Sequence, residues 1–350
     1  MTPDKNAQII QKLLHFYGVE VSSIPPELTF PPLLPESIQT PREILARKVA
    51  SRFLALLPES LFLAITKSLK YCLQTPLHSD IENDGAFEEF IRENRTDEKG
   101  IWSNELPPLV ITHDIDLNSC YRNIQKVAKI EDELGISSTW HFLTSGRYKL
   151  ENAVLRDLHQ SGHEIGLHGT WHDIAIGFRS RNEIEDFVKT GLEPIKEFSP
   201  VSFRAPALAW TPKLAEIILK HGFRADSSLK TYGNGWDIKR PIPLEDGKLW
   251  ELPLTIQDDY LFKNLRLTNQ EAGELLLNML ASQRKKRCPA ILNFHPSIIA
   301  SRLDWYRETL MQIQNSGLWN ITTIKGCIGE LDMKWNPPLP SQKEELMKRG

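Results

Sequence analysis

The sequence lacks most of the features that announce a specialised class of protein. Its 350 residues contain four cysteines, Cys72, Cys120, Cys288 and Cys327, and no two of them form a C-x-x-C pair. That excludes a zinc ribbon and a disulfide scaffold. Neither sign of charge is in excess: 42 Lys and Arg against 45 Asp and Glu leave a net charge of −3. A basic stripe for nucleic acid and an acidic block for a disordered tail are both missing. Long hydrophobic runs are missing too. The most apolar stretch, 44–73, is broken by Arg47, Lys48, Arg52, Pro58 and Glu59, so it falls short of the roughly twenty apolar residues of a bilayer span. A pair of amphipathic helices packed on the main domain is expected there instead. Residues 1–17 show no basic segment followed by an apolar run and a small-residue cleavage site, and the expected location is the cytoplasm.

What is present divides into three parts. Residues 1–105 form an extension, rich in proline from Pro25 to Pro41 and helical after that, with no candidate for chemistry. From 106 to 335, short apolar runs alternate with amphipathic stretches. Strands are expected at 109–112, 138–143, 164–167, 202–203, 224–227, 250–256, 290–294 and 319–323. Helices are expected at 122–134, 153–160, 181–198, 212–221, 269–284 and 302–315, with Gly135, Gly162, Gly222 and Gly317 placed as C-caps. Strands separated by helices of this length make βαβ units and a parallel sheet. Seven or eight such units point to an α/β barrel or a distorted relative of one. Residues 336–350 read as a loose polar tail.

In parallel α/β folds the C-terminal ends of the strands share one mouth. Here those ends run into Thr112-His113-Asp114-Ile115-Asp116, His168-Gly169-Thr170-Trp171-His172, Phe203-Arg204-Ala205-Pro206, Asp226 and Asn293-Phe294-His295-Pro296. His168 and His172, at i and i+4, put two imidazoles on one side of a turn; with a carboxylate they make a His₂Asp set with an open position, a known plan for catalytic zinc. Two aspartates as close as Asp114 and Asp116 repel unless a cation intervenes or one is protonated. The plainer reading of Asp116, or of Ser119, is a helix cap. Arg204 is suited to hold an aspartate ionised, with a surface arginine on an Arg-Ala-Pro turn as the competing reading. His295, a lone histidine of the kind that is more often structural, would be a natural acid for a leaving amine if it faced a metal. Trp171, Trp210, Trp236 and Tyr260 follow strands and offer faces for a sugar ring, with ordinary loop packing as the competing reading.

These residues resemble the polysaccharide deacetylases, carbohydrate esterases of family 4 that share the NodB homology domain. The resemblance runs from about Leu109 to Lys325 and rests on four motifs in order, supported by Gly162-His163-Glu164-Ile165-Gly166 and Gly222-Phe223-Arg224-Ala225-Asp226-Ser227-Ser228. It implies a distorted (β/α)7–8 barrel behind a mainly helical N-terminal extension. It also implies removal of an N- or O-acetyl group from a carbohydrate, with a divalent metal: zinc first, then cobalt, nickel or manganese. By position, Asp114 would be the base, Asp116, His168 and His172 the metal ligands, Arg204 the residue orienting the base, and His295 the acid. Trp171, Trp210 and Pro206 would lie on the substrate side. The family's two aspartates are adjacent, whereas Ile115 separates them here, so base and ligand could be exchanged. For the carboxylate that supports the acid histidine, Asp226 is the nearest candidate and Asp258 or Asp259 the alternatives. A deformylase or another amidohydrolase on the same scaffold, and a barrel that only binds glycan, are the competing functions.

Overall fold

Eight consecutive buried residues, Pro108–Ile115, form β1, the centre of the fold. A strand covered on both faces has no solvent side to alternate toward, which is why it reads as a continuous apolar run. A computed structural model describes residues 3–19, 41–54, 57–61, 86–95, 102, 105–233 and 238–336. Around β1 lie β2 (Thr139–Leu143), β3 (Glu164–Gly169), β4 (Ser202–Phe203), β5 (Ala225–Asp226), β6 (Ile242–Leu244), β7 (Leu249–Glu251), β8 (Ile256–Gln257), β9 (Ala290–Phe294) and β10 (Asn320–Thr322). They make one sheet in the order β6-β7-β5-β4-β3-β2-β1-β9-β8, with β10 paired to β1. All pairs are parallel except the β6–β7 hairpin. This curled, mostly parallel sheet with outer helices is the distorted barrel expected from the motifs.

The sheet departs from expectation between 250 and 256. Instead of one strand, β7 pairs with β5 near one end of the sheet, and β8 pairs with β9 at the other. Pro253 lies between them, and proline cannot donate to a ladder. The linking residues touch both sides: the Leu254 N–H donates to the Leu229 carbonyl at 2.9 Å and the Thr255 N–H to that of Ile291 at 2.8 Å. The chain thus carries the curl across the gap. The helix expected at 181–198 stops at Leu192, and Glu193–Phe198 is 3₁₀, since Pro194 removes a helical N–H. A final helix, Ile324–Trp335, packs on β1, β5 and β10 and was not expected.

The described parts of the extension join the barrel core. Leu13 and Leu14 of the helix Pro3–Phe16 are fully buried, Phe16 stacks on Trp250, and the Tyr17 hydroxyl donates to the Pro241 carbonyl at 2.7 Å. Glu88, on the helix Ala86–Asn94, accepts from the Lys239 N–H and from Arg240 Nε. The proline-rich run before Pro41 and the tail after Asn336 lie outside the described residues, as does Trp236. No helix among the described residues is long and apolar enough to cross a membrane.

Candidate metal centre and active site

The site grows from β1. A strand's side chains alternate between faces, so Thr112 and Asp114 share one face while His113 takes the other. His113 stacks on Trp140 and binds the buried Glu131 at 2.8 Å, away from the site. Asp116 lies one residue past the strand. Asp114 is 3% exposed; its Oδ1 accepts from Arg204 Nη1 at 2.9 Å and its Oδ2 from Asn293 Nδ2 at 2.7 Å. Burial acts to raise its pKa, but Arg204, His168 and His141 outweigh that and hold it at about 2. Arg204 is completely buried and also donates to Thr112 Oγ1, Asn293 Oδ1, and the carbonyl and hydroxyl of Ser227, all within 2.9 Å. Every face of the guanidinium fork is engaged, so its geometry fixes that of Asp114.

The second cluster lies beside it. His168 Nδ1 donates to the Arg204 carbonyl at 2.8 Å, which turns Nε2 toward Asp116 Oδ1 at 2.9 Å. His172 Nε2 lies 3.6 Å from Asp116 Oδ2. Gly169, at φ +115°, permits the turn between the two histidines; a Cβ there would run into the Phe187 ring. Burial acts to raise the Asp116 pKa, yet His172, His168 and His295 draw it far below the usual carboxylate range. The ligand atoms of Asp116, His168 and His172 all lie within 4.8 Å of one another. Asp116 Oδ1 is buried and accepts no hydrogen bond. An orphaned carboxylate oxygen facing an imidazole whose other nitrogen is tied to a carbonyl is the donor chemistry a divalent cation uses. The residues fit a metal. Asp116 does not cap the helix Asn118–Tyr121; Leu117 occupies that position.

His295 closes the ring. Its Nε2 is 3.6 Å from Asp116 Oδ2, and its Nδ1 lies 2.6 Å from Asp258 Oδ1. Burial acts to lower its pKa, but Asp258 first and then Asp116 and Asp259 push it up to about 10. Asp226 is not its partner. That aspartate sits on β5 opposite Glu251, accepts from the Ser228 hydroxyl, and has no hydrogen bond or ion pair to His295 among the described residues. Burial beside Glu251 holds the Asp226 pKa up at about 7. Strand pairing explains this: β8, which leads into Asp258, pairs with β9, which leads into His295, whereas β5 pairs with β4 and β7.

Two substrate-side expectations are corrected as well. Trp210 is 0% exposed and Pro206 is buried, so both belong to packing and neither offers a sugar a face. Trp171, against Phe187, and Tyr260, against Tyr232, are half-buried and keep open surface. Sequence reasoning also missed Asn293 and His141. Asn293 shares the strand face of His295, two residues away, a signal that was available. His141 is the register partner of Asp114 and has its Nδ1 3.7 Å from Asp114 Oδ1. Inside an apolar run nothing distinguishes it from a core histidine.

Residues 105–225 match the family described as Polysaccharide deacetylase. A peptidoglycan deacetylase of Helicobacter pylori is 28% identical over 109 residues, a match that covers 30% of this chain and 36% of that protein. Among solved structures, a Mycobacterium smegmatis protein classed as a polysaccharide deacetylase superposes with TM-score 0.58 at 20% identity, covering 67% of this chain and 92% of that one. One from Pseudomonas aeruginosa PAO1, classed likewise, gives TM-score 0.53 at 13% identity, covering 68% and 98%. Puue allantoinase gives TM-score 0.52 at 14% identity, covering 64% and 89%; likeness at such identities speaks for the fold alone. The family match spans the stretch 105–225, which carries the Asp114–Asp116, His168–His172 and Arg204 motifs.

Proposed function

We propose that the protein is a metal-dependent hydrolase that removes an acetyl group from an amino sugar or glycan, with Asp114 as base and His295 as acid. One observation carries the reading. An Asp116–His168–His172 donor set, an Asp114 held ionised by Arg204, and a His295 held protonated by Asp258 meet at one barrel mouth. When bound, a divalent cation, zinc first among the candidates, supplies Lewis acidity that polarises the acyl carbonyl and lowers the pKa of water toward neutrality. Asp114 accepts the proton of the attacking water, and its two hydrogen bonds orient it before the substrate arrives. As the carbon–nitrogen bond breaks, His295 hands its Nε2 proton to the departing amine, while Asp258 keeps Nδ1 protonated. The products are acetate and a free amino sugar. Trp171 and Tyr260 are the surfaces on which the sugar ring stacks.

The test is to strip the protein of metal, reload it with Zn²⁺, and incubate both forms with N-acetylated sugars, sugar nucleotides and oligosaccharides while measuring acetate. Release by the reloaded form alone, lost in His295→Ala, is expected. Formate or ammonia as the product would move the reading to another amidohydrolase. No release from any acyl substrate would overturn it.

A further inference from the structure

We infer that the N-terminal residues 41–54 and 57–60 are part of the catalytic face and that Glu59 is a positioning residue for Asp116. The inference rests on the metal reading above. It starts from a local deficiency. The helix Asn118–Tyr121 begins immediately beyond Asp116, yet Leu117 stands at its N-cap and no side chain of the helix caps it. Free N–H groups at a helix start need an acceptor. Glu59 supplies both oxygens: Oε2 accepts from the Asn118 N–H at 3.1 Å and Oε1 from the Ser119 N–H at 3.2 Å. The backbone that aims Asp116 is therefore held from outside the barrel.

The same segment grips the other loops of the mouth. After β2, Arg147 Nη1 donates to the Leu57 carbonyl at 2.8 Å. Beyond His172, Arg47 Nη1 donates to the Ile174 carbonyl at 3.2 Å, and Arg179 Nη2 donates to Ser51 Oγ at 2.7 Å. After Arg204, Arg47 donates to the Ala207 carbonyl at 2.9 Å. Ala207 and Leu208 are consecutive non-glycine residues at positive φ, 50° and 54°, a conformation that persists only where surroundings enforce it. Four loops, each following a strand that carries or flanks a site residue, are thus tied to one external segment. Packing alone requires no such selection of loops.

The experiment uses the full-length protein, Glu59→Ala and Glu59→Gln, each titrated with Co²⁺ against a chromophoric chelator, with the visible Co²⁺ absorption recorded. Groups that orient a metal ligand are typically worth 10–100-fold in affinity. Glu59→Ala is expected to weaken Co²⁺ by about tenfold or more and to alter the absorption band, which reports ligand geometry. Glu59→Gln, which keeps one acceptor oxygen, is expected to fall in between. Should Glu59→Ala not fold, Glu59→Gln decides on the same two readouts. Wild-type affinity and spectrum in the folded variants would overturn the inference while leaving the metal reading intact. A wild-type protein that binds no Co²⁺ would overturn both.

Discussion

Asp258 holds His295 at two points: Oδ1 lies 2.6 Å from the ring Nδ1, and Oδ2 accepts the backbone N–H of the same histidine at 2.7 Å. The imidazole is thereby fixed in both orientation and tautomer, with Nε2 left to face Asp116. A carboxylate so close stabilises the imidazolium, consistent with a His295 pKa pushed up to about 10.

Asp258→Asn is therefore expected to move the alkaline limb of activity downward by about one pH unit or more, the usual worth of an adjacent opposite charge. The sign follows from the role. An acid works only while protonated, so lowering its pKa brings the loss of activity to lower pH. The linkage to stability has the same origin: what the charged pair contributes is complete below the ordinary histidine range and is lost as pH rises through about 10. A pH–rate profile of kcat for both proteins checks this, and an unmoved limb would remove His295 from the acid role.

The proposed metal centre is tested by its histidines. His168→Ala and His172→Ala each remove one of the three proposed protein ligands, and both are expected to lose stoichiometric metal by elemental analysis. Undiminished metal in both variants would place the ion elsewhere.

The two aspartates separate by what they touch. Asp114 has one hydrogen bond on each oxygen, from Arg204 and Asn293, whereas Asp116 Oδ1 accepts no hydrogen bond. Asp114→Asn should retain metal and lower kcat by roughly a hundredfold or more, the range of general-base catalysis. Asp116→Asn should lose metal affinity, because an amide is a poor substitute for a charged oxygen ligand. Metal content and kcat together decide, and the reversed pattern would exchange the roles.

Asp226 is expected to weaken the fold above acidic pH. Burial, ahead of any partner, holds its pKa up at about 7, so the folded chain binds a proton that the unfolded chain releases near pH 4. Between those values stability falls as pH rises. Asp226→Asn mimics the protonated form and should flatten that part of the profile. Urea unfolding of metal-free protein at pH 4.5 and 7.5 measures it; equal slopes in both proteins would contradict the expectation.

Gly166 shows how tightly the floor is built. A Cβ there would sit 2.5 Å from His141 Cδ2 and 2.6 Å from Ser202 Oγ. Gly166→Ala should cost about 1–3 kcal/mol through overpacking, read by chemical denaturation. A neutral result would mean that His141 has room to turn away.

By itself the sequence determined the local pieces. The strand-face pairing of Thr112 with Asp114 follows from the strand period of 2, and His168 and His172 are brought together within a few residues by the turn at Gly169 that ends β3. The alternation of strands and helices was legible for the same reason, and with it the parallel sheet. Tertiary structure alone decided the partnerships. His295 pairs with Asp258 rather than Asp226 because strand order sets β8 beside β9, and that order depends on the crossing at Pro253. Trp210 became core, and Glu59 came to serve a helix 59 residues downstream of it. Such contacts bring together groups far apart in the chain, and no short-range pattern encodes which distant neighbour a buried side chain or an uncapped N–H will meet.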